Sequence, residues 1–177
     1  LTGAFSGNPD QLIDLMTNEI KKTRTFDVHR IYEVIRSTNR SLELTDVEFW
    51  KIGYQSDSIH LLFNIWYNEF NYVPAYDDNL PQVDHIFPQK KMKGLGYKKS
   101  GIDQIANCML LTLEENGAGG KSDMDPKDWF RDKSGDYLEM HLIPNQPQLW
   151  EYSSYAEFIE ERKKIIRAKF GYLFVNR

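Results

Sequence analysis

The sequence predicts an α+β fold, and three observations predict it. Apolar residues recur at helical spacing through residues 8–70. The period then shortens into two brief apolar runs, within 82–89 and 105–115. A glycine-rich turn at 116–122 finally leads into a proline-started helix. Helices followed by a pair of short strands and a further helix make the α+β pattern. At 177 residues the chain is long enough to bury a full core.

Each element has its own warrant. "NPDQLIDLMTNEIKKTR" opens with Asn8 as N-cap, Pro9 at the first helical position and Asp10 in the first turn, and it sets Leu12, Ile13, Leu15, Met16 and Ile20 largely on one side. "FDVHRIYEVIRS" repeats the pattern with Asp27 as cap. "LTDVEFWKIGYQ" and "DSIHLLFNIWYNEF" predict two more helices, the last apolar nearly all round and therefore buried. His29 and His60, inside these helices, read as packing or surface residues. "NYVPAYDDNLPQ" is a connector broken by Pro74 and Pro81. "QVDHIFPQ" and "IANCMLLTLEE" predict strands, joined by a lysine- and glycine-rich loop longer than a hairpin turn. "NGAGGKS" is the glycine turn, and "DPKDWFRDK" starts a helix with Asp125 as cap and Pro126 first. In "SSYAEFIEERKKIIRAKFGY", Ser154 and Glu157 predict a capping box and Gly171 the C-cap. The expected division is a helical lobe at 1–80, a strand–turn–helix core at 81–135, and a closing helical segment at 136–177 that packs on the core.

Composition narrows the function classes. No apolar run reaches the roughly 18 residues that span a bilayer, which excludes a helical membrane protein. No charged-then-apolar leader opens the chain, and its first residue is Leu1, so a piece of something longer is expected. The single cysteine, Cys108, sits in the apolar string "NCMLL". It excludes an intrachain disulfide or a cysteine-rich zinc site and suits a reducing compartment, so a cytoplasmic location is expected. The net charge of −4 argues weakly against nucleic acid as a partner, but it is unevenly spread. Residues 1–84 carry 13 Asp and Glu against 7 Lys and Arg, and residues 85–177 carry 13 against 15. The basic residues cluster at Lys90, Lys91, Lys93, Lys98 and Lys99, and again in "ERKKIIRAK". Either cluster suits phosphates, and the second equally suits a solvated helix face.

The polar residues at the junctions of the strand–loop–strand–turn unit suggest chemistry. Hydrolysis of a phosphodiester needs a base to activate water and a hard cation to absorb charge on the phosphate. A neutral imidazole suits the first task, which makes His85 the candidate base. A magnesium-type ion takes a few oxygen ligands and keeps several waters, so Asp84 and Asn116 are the candidate ligands. On a regular strand Asp84 and His85 point to opposite faces, so for one shared site the chain has to leave strand geometry near Pro88.

"VDHIFPQ", then "IAN", then "LTLEENGAGGKSD" resembles the HNH, or ββα-metal, nucleases, and the tail is similar to the HNH domain of CRISPR effector nucleases. The spacing and flanks resemble more closely the C-terminal HNH domain of GmrSD-type modification-dependent restriction proteins. Strict motif similarity covers 83–123, and "GAFSGNPDQLIDLM" and "HLIPNQPQLWEYSSYAEFIEERKKII" extend the likeness along the chain. The resemblance implies a ββα-metal (His-Me finger) core within a mainly helical domain. It implies a one-metal DNA endonuclease that uses Mg2+, with Mn2+ or Ni2+ as substitutes. It makes His85 the general base, Asp84 and Asn116 metal ligands, Asn107 the amide that ties the loop after the histidine to the second strand, and Lys121 a phosphate contact. It implies modified phage DNA as substrate and an upstream ParB-like nucleotide-hydrolysing domain, of which the chain carries no Asp-Gly-Gln-Gln-Arg motif. Cutting both strands needs two such sites, so a homodimer or paired encounter is expected. "GAGG" between Asn116 and Lys121 departs from the CRISPR-type turn and leaves Glu115 as an alternative ligand.

Each residue also has a plainer reading: Asp84–His85 as a surface pair, Asn107 as a turn closer, Asn116–Gly117 as a turn dipeptide, His141 as structural. A second class of function follows from these, a nucleic-acid-binding or interaction module with a degenerate site. A third is an RNase or nicking nuclease on the same fold.

Overall fold

The computed structural model describes residues 1–68, 81–117, 119–121 and 124–173. Its helices are α1 (Asp10–Thr23), α2 (Val28–Ser37), α3 (Asp46–Phe49), α4 (Ile59–Tyr67), α5 (Gln89–Gly94), α6 (Lys99–Ile102), α7 (Leu113–Asn116), α8 (Pro126–Phe130), α9 (Gly135–Met140) and α10 (Tyr155–Phe170). The strands β1 (Gln82–His85) and β2 (Cys108–Leu111) form one antiparallel ribbon with Asp84 opposite Met109 and His85 opposite Cys108. The molecule is thus α+β. Glu69 and Phe70 of the expected apolar helix, the expected connector up to residue 80, and Ala118 and Ser122 of the expected glycine turn, with Asp123 after it, lie outside the described residues.

Two compact units divide the chain, one built on Leu1–Phe49 and the other spanning Trp50–Tyr172. In the first, α1 and α2 close on Ala4, Leu12 and Ile35, flanked by Met16, Ile31 and Leu42. Asp27 caps α2 by accepting the His29 N–H at 2.9 Å. Asn8 accepts the Asp10 N–H, and the helix starts one residue later than the sequence predicts. Arg40 donates to the carbonyls of Ala4, Ser6 and Asn8 and so ties down the residues before α1.

The second unit packs the ribbon against α10. All four residues of β2 are buried, and Phe87, just past β1, meets Tyr155 and Phe158 edge-on at ring separations of 5.1 and 5.0 Å. The predicted apolar helix is α4, whose Ile59, Leu62, Phe63, Trp66 and Tyr67 are buried. Arg162, read from sequence within a solvated or phosphate-facing stretch, is instead wholly buried. Its guanidinium donates to the carbonyls of Ala106, Cys108, His141 and Leu142, which is how a buried cation is accommodated. One face of α10 thereby fixes the entry to β2.

Three local expectations change. The helix predicted over 44–55 ends at Phe49, because Gly53 lies against the Asp103 carbonyl and the Tyr54 N–H donates to that oxygen at 2.7 Å. The Ser154–Glu157 box does not form. A 3-10 turn at Tyr152–Ser154 feeds straight into α10, and Ser154 makes no capping bond. The Asp125 side chain likewise leaves the N-terminus of α8 uncapped and bonds Lys91 and Tyr152 instead.

Candidate functional site

The ribbon sets the geometry of the site. Gln82 and Asp84 alternate onto one face of β1, and His85, the last residue of the strand, points to the other. On the first face the Asn116 amide donates to Gln82 Oε1 at 2.8 Å, which brings the end of α7 beside Asp84. Lys121 enters from the glycine turn with its side chain fully buried. Its ammonium lies 3.6 Å from Asp84 Oδ2 and donates to the His85 carbonyl at 3.2 Å. Burial lowers the Lys121 pKa, and the charge of Asp84 opposes that shift.

Two oxygens on this face are buried without a hydrogen bond among the described residues, Asp84 Oδ2 and Asn116 Oδ1, and of these Asp84 Oδ2 has the Lys121 ammonium as its ionic partner. Buried polar atoms are nearly always satisfied; Lys121 answers the charge of Asp84 Oδ2, and Asn116 Oδ1 is left without a partner among the described residues. Both are hard oxygen donors, the chemical kind a magnesium-type cation takes a few of while keeping its waters, and an ion there would share Asp84 with Lys121. Among the described residues no three His, Cys, Asp or Glu side chains cluster to hold a metal. Glu115, the alternative ligand, is committed elsewhere. It accepts the Thr112 N–H at 3.1 Å while Thr112 Oγ1 accepts the Glu115 N–H, a capping box that starts α7.

On the opposite face His85 is 6% exposed. Its Nε2 lies 2.9 Å from Asp103 Oδ1, and the Tyr54 ring stacks on the imidazole at 4.1 Å between centroids. Asp103 also takes the Gln89 amide at 3.2 Å and the Lys99 ammonium. Burial would raise the Asp103 pKa, but hydrogen bonds from Lys99, His85 and Gln89 outweigh it and hold the carboxyl below its ordinary value. Burial lowers the His85 pKa despite the opposing pull of Asp103 and Asp84, so the ring is neutral at neutral pH. An open groove of about 720 Å³, bordered by Trp50, Tyr54, Lys99, Asp103 and Gln104, lies beside this pair.

Asn107 joins the two strands. Wholly buried, it accepts the Phe87 N–H at 2.9 Å and donates to the carbonyls of Ile102 and Phe87, and its own carbonyl takes the Ile86 N–H at 2.8 Å. The segment after His85 is therefore locked to the start of β2. The loop lysines fare differently from one another. Lys90 and Lys98 are exposed, Lys91 pairs with Asp125, Lys93 donates to Gln89, and Lys99 is drawn to Asp103 and Gln55.

The structure thus brings Asp84, Asn116 and Lys121 together on one face and sets His85 with Asp103, Gln89 and Tyr54 on the other. Asp103 and Tyr54 escape a reading of the sequence. Asp103 does leave one trace there: it is the sole acid between Asp84 and Glu114, in a stretch with five lysines.

No curated protein and no solved structure matches the chain. The model of the family described as GmrSD restriction endonucleases, C-terminal domain, matches residues 38–169, and the chain belongs to that family.

Proposed function

We propose that this domain is a metal-dependent DNA endonuclease of the HNH, ββα-metal type, which hydrolyses phosphodiesters with one metal ion and serves a restriction system directed at modified phage DNA. The observation that carries the reading is the set of buried hard oxygens made by Asp84, on the strand that ends in His85, and Asn116, which α7 brings against Gln82 of that strand. Asp84 and Asn116 would hold the ion, Mg2+ or in its place Mn2+ or Ni2+. When bound, it supplies positive charge to offset that developing on the phosphate. His85, neutral near pH 7, takes a proton from the attacking water. β1 ends at His85 and the chain bends away at Ile86 and Phe87, which lets one site draw on both faces of the strand. Asn107 holds the chain just after His85 against the start of β2, and Lys121 balances Asp84. Family membership supports DNA as the substrate, and a ParB-like nucleotide-hydrolysing partner domain would gate the cut. Cutting both strands would require two such domains.

The metal claim is tested by thermal unfolding with Mg2+, Mn2+ or EDTA. A ligand that binds only the folded state stabilises it by mass action, about 2.7 kcal/mol at a hundredfold excess over Kd. The expected result is a rise in Tm with metal that is absent in Asp84→Asn. One observation favours a second reading, a nucleic-acid-binding module with a degenerate site: the Lys121 ammonium already neutralises Asp84. That reading predicts no metal-dependent stabilisation in the wild type.

A further inference from the structure

We propose that Asp103 is a positioning residue for the His85 base: it holds the imidazole as the Nε2–H tautomer and so reserves Nδ1 for the proton of the attacking water. The inference rests on the nuclease reading for its chemistry and on geometry for the tautomer.

An ionised carboxylate only accepts hydrogen bonds, so the contact of 2.9 Å between Asp103 Oδ1 and His85 Nε2 needs its hydrogen on Nε2. A neutral imidazole then has its lone pair on Nδ1, which has no hydrogen-bond partner among the described residues. The ring is restrained in two directions at once. Asp103 grips its edge, and Tyr54 covers a face at 4.1 Å.

Both restraints share one anchor. Asp103 Oδ1 takes Gln89 Nε2, its Oδ2 takes Lys99, and its main-chain carbonyl receives the Tyr54 N–H at 2.7 Å. A Cβ on Gly53 would stand 2.3 Å from that same carbonyl, so the Tyr54 loop approaches as closely as a glycine permits. The lysine-rich loop between the strands thus also builds a seat for the base. In the step so arranged, the water proton moves to Nδ1, the water oxygen forms the new bond to phosphorus, and the bond from phosphorus to the leaving oxygen breaks. Solvent supplies the proton that the leaving oxygen takes up. The Asp103 carboxylate stabilises the imidazolium that forms and itself stays ionised.

The test uses the full chain, 15N-labelled, in alkaline buffer where imidazoles are neutral, with the His85 ring signals assigned by their loss in His85→Gln. Long-range proton–nitrogen correlations are expected to show the proton on Nε2 in the wild type and both tautomers in Asp103→Ala. In plasmid cleavage, Asp103→Asn, which keeps the shape and loses the charge, is expected to lower kcat about 10–100-fold. The KM for DNA and the metal concentration for half-maximal rate should stay within about twofold, and Asp103→Glu should recover part of the loss. A wild-type ring protonated on Nδ1 overturns the proposal. So does a folded Asp103→Asn with unchanged kcat, which is what a merely structural residue would give. If the wild type cuts no DNA with any metal, the nuclease reading falls separately. The ring signals then decide alone: an Nε2–H that persists undiminished in Asp103→Ala overturns the role given to Asp103, and its loss upholds that role.

Discussion

At the scale of single residues, His141 shows how burial becomes a pH dependence. It is fully buried, takes the Tyr67 hydroxyl at Nδ1, and burial, reinforced by the charges of Arg162 and Lys133, lowers its pKa from 6.5 to about 3. The unfolded chain therefore protonates His141 near pH 6.5 while the folded chain does not until about pH 3, so acidification between those values favours unfolding. Denaturant titrations should show the wild type losing about 1–2 kcal/mol more than His141→Gln between pH 6.5 and pH 5. The Asp103 and Asp125 carboxylates, also held low, add to this loss only further down, below about pH 4. His141 was legible in the sequence as structural, because it lies among apolar residues outside any motif. Asp103 was not, since its meeting with His85 spans 18 positions and the lysine-rich loop around it has no periodicity that announces a fold.

Among the elements, the glycine turn after α7 places the charged groups of the first face. A Cβ on Gly120 would lie 2.2 Å from the Glu115 carbonyl oxygen, a main-chain atom that cannot move aside cheaply. Gly119 adopts φ +78°, in the left-handed region that favours glycine. Gly120→Ala should thus cost about 1–3 kcal/mol of stability and displace Lys121 from Asp84, whereas Gly94→Ala, with open space around it, should shift stability by no more than about 0.5 kcal/mol in thermal unfolding. The places of the two strands and of the glycine turn were readable from short apolar runs and clustered glycines, but both strands are shorter than read: β1 stops at His85, and β2 covers only Cys108–Leu111, between a 3-10 turn at Ile105–Asn107 and α7. The Ser154–Glu157 box and the helix through Gln55 were not readable. Their local signals are genuine, but a preceding 3-10 turn in one case and the contact of Gly53 with Asp103 in the other override them.

For the whole molecule, net charge and binding surface have to be separated. The chain carries −4 overall, yet a family of restriction endonucleases has to approach a polyanion. Among the loop lysines, Lys91 and Lys99 are held by carboxylates and Lys93 donates to the Gln89 amide oxygen, which leaves exposed Lys90 and Lys98 to meet phosphate. The double change of Lys90 and Lys98 to Ala should weaken DNA binding regardless of sequence and reduce the slope of log affinity against log salt by about 1–2, read from fluorescence titrations at several ionic strengths. The α+β class follows from pattern and composition alone, while the contact between β1 and α7 needs the three-dimensional structure, since no local rule relates Gln82 to Asn116. The central claim, that this domain hydrolyses DNA with a metal held by Asp84 and Asn116 and a base at His85, is tested most directly by plasmid cleavage with Mg2+, Mn2+, Ni2+ or EDTA, comparing wild type with His85→Ala. The account predicts metal-dependent cutting by the wild type, abolished by EDTA, and a rate about 10²–10⁴-fold lower in His85→Ala. Cutting that persists undiminished in His85→Ala, or in EDTA, would contradict it.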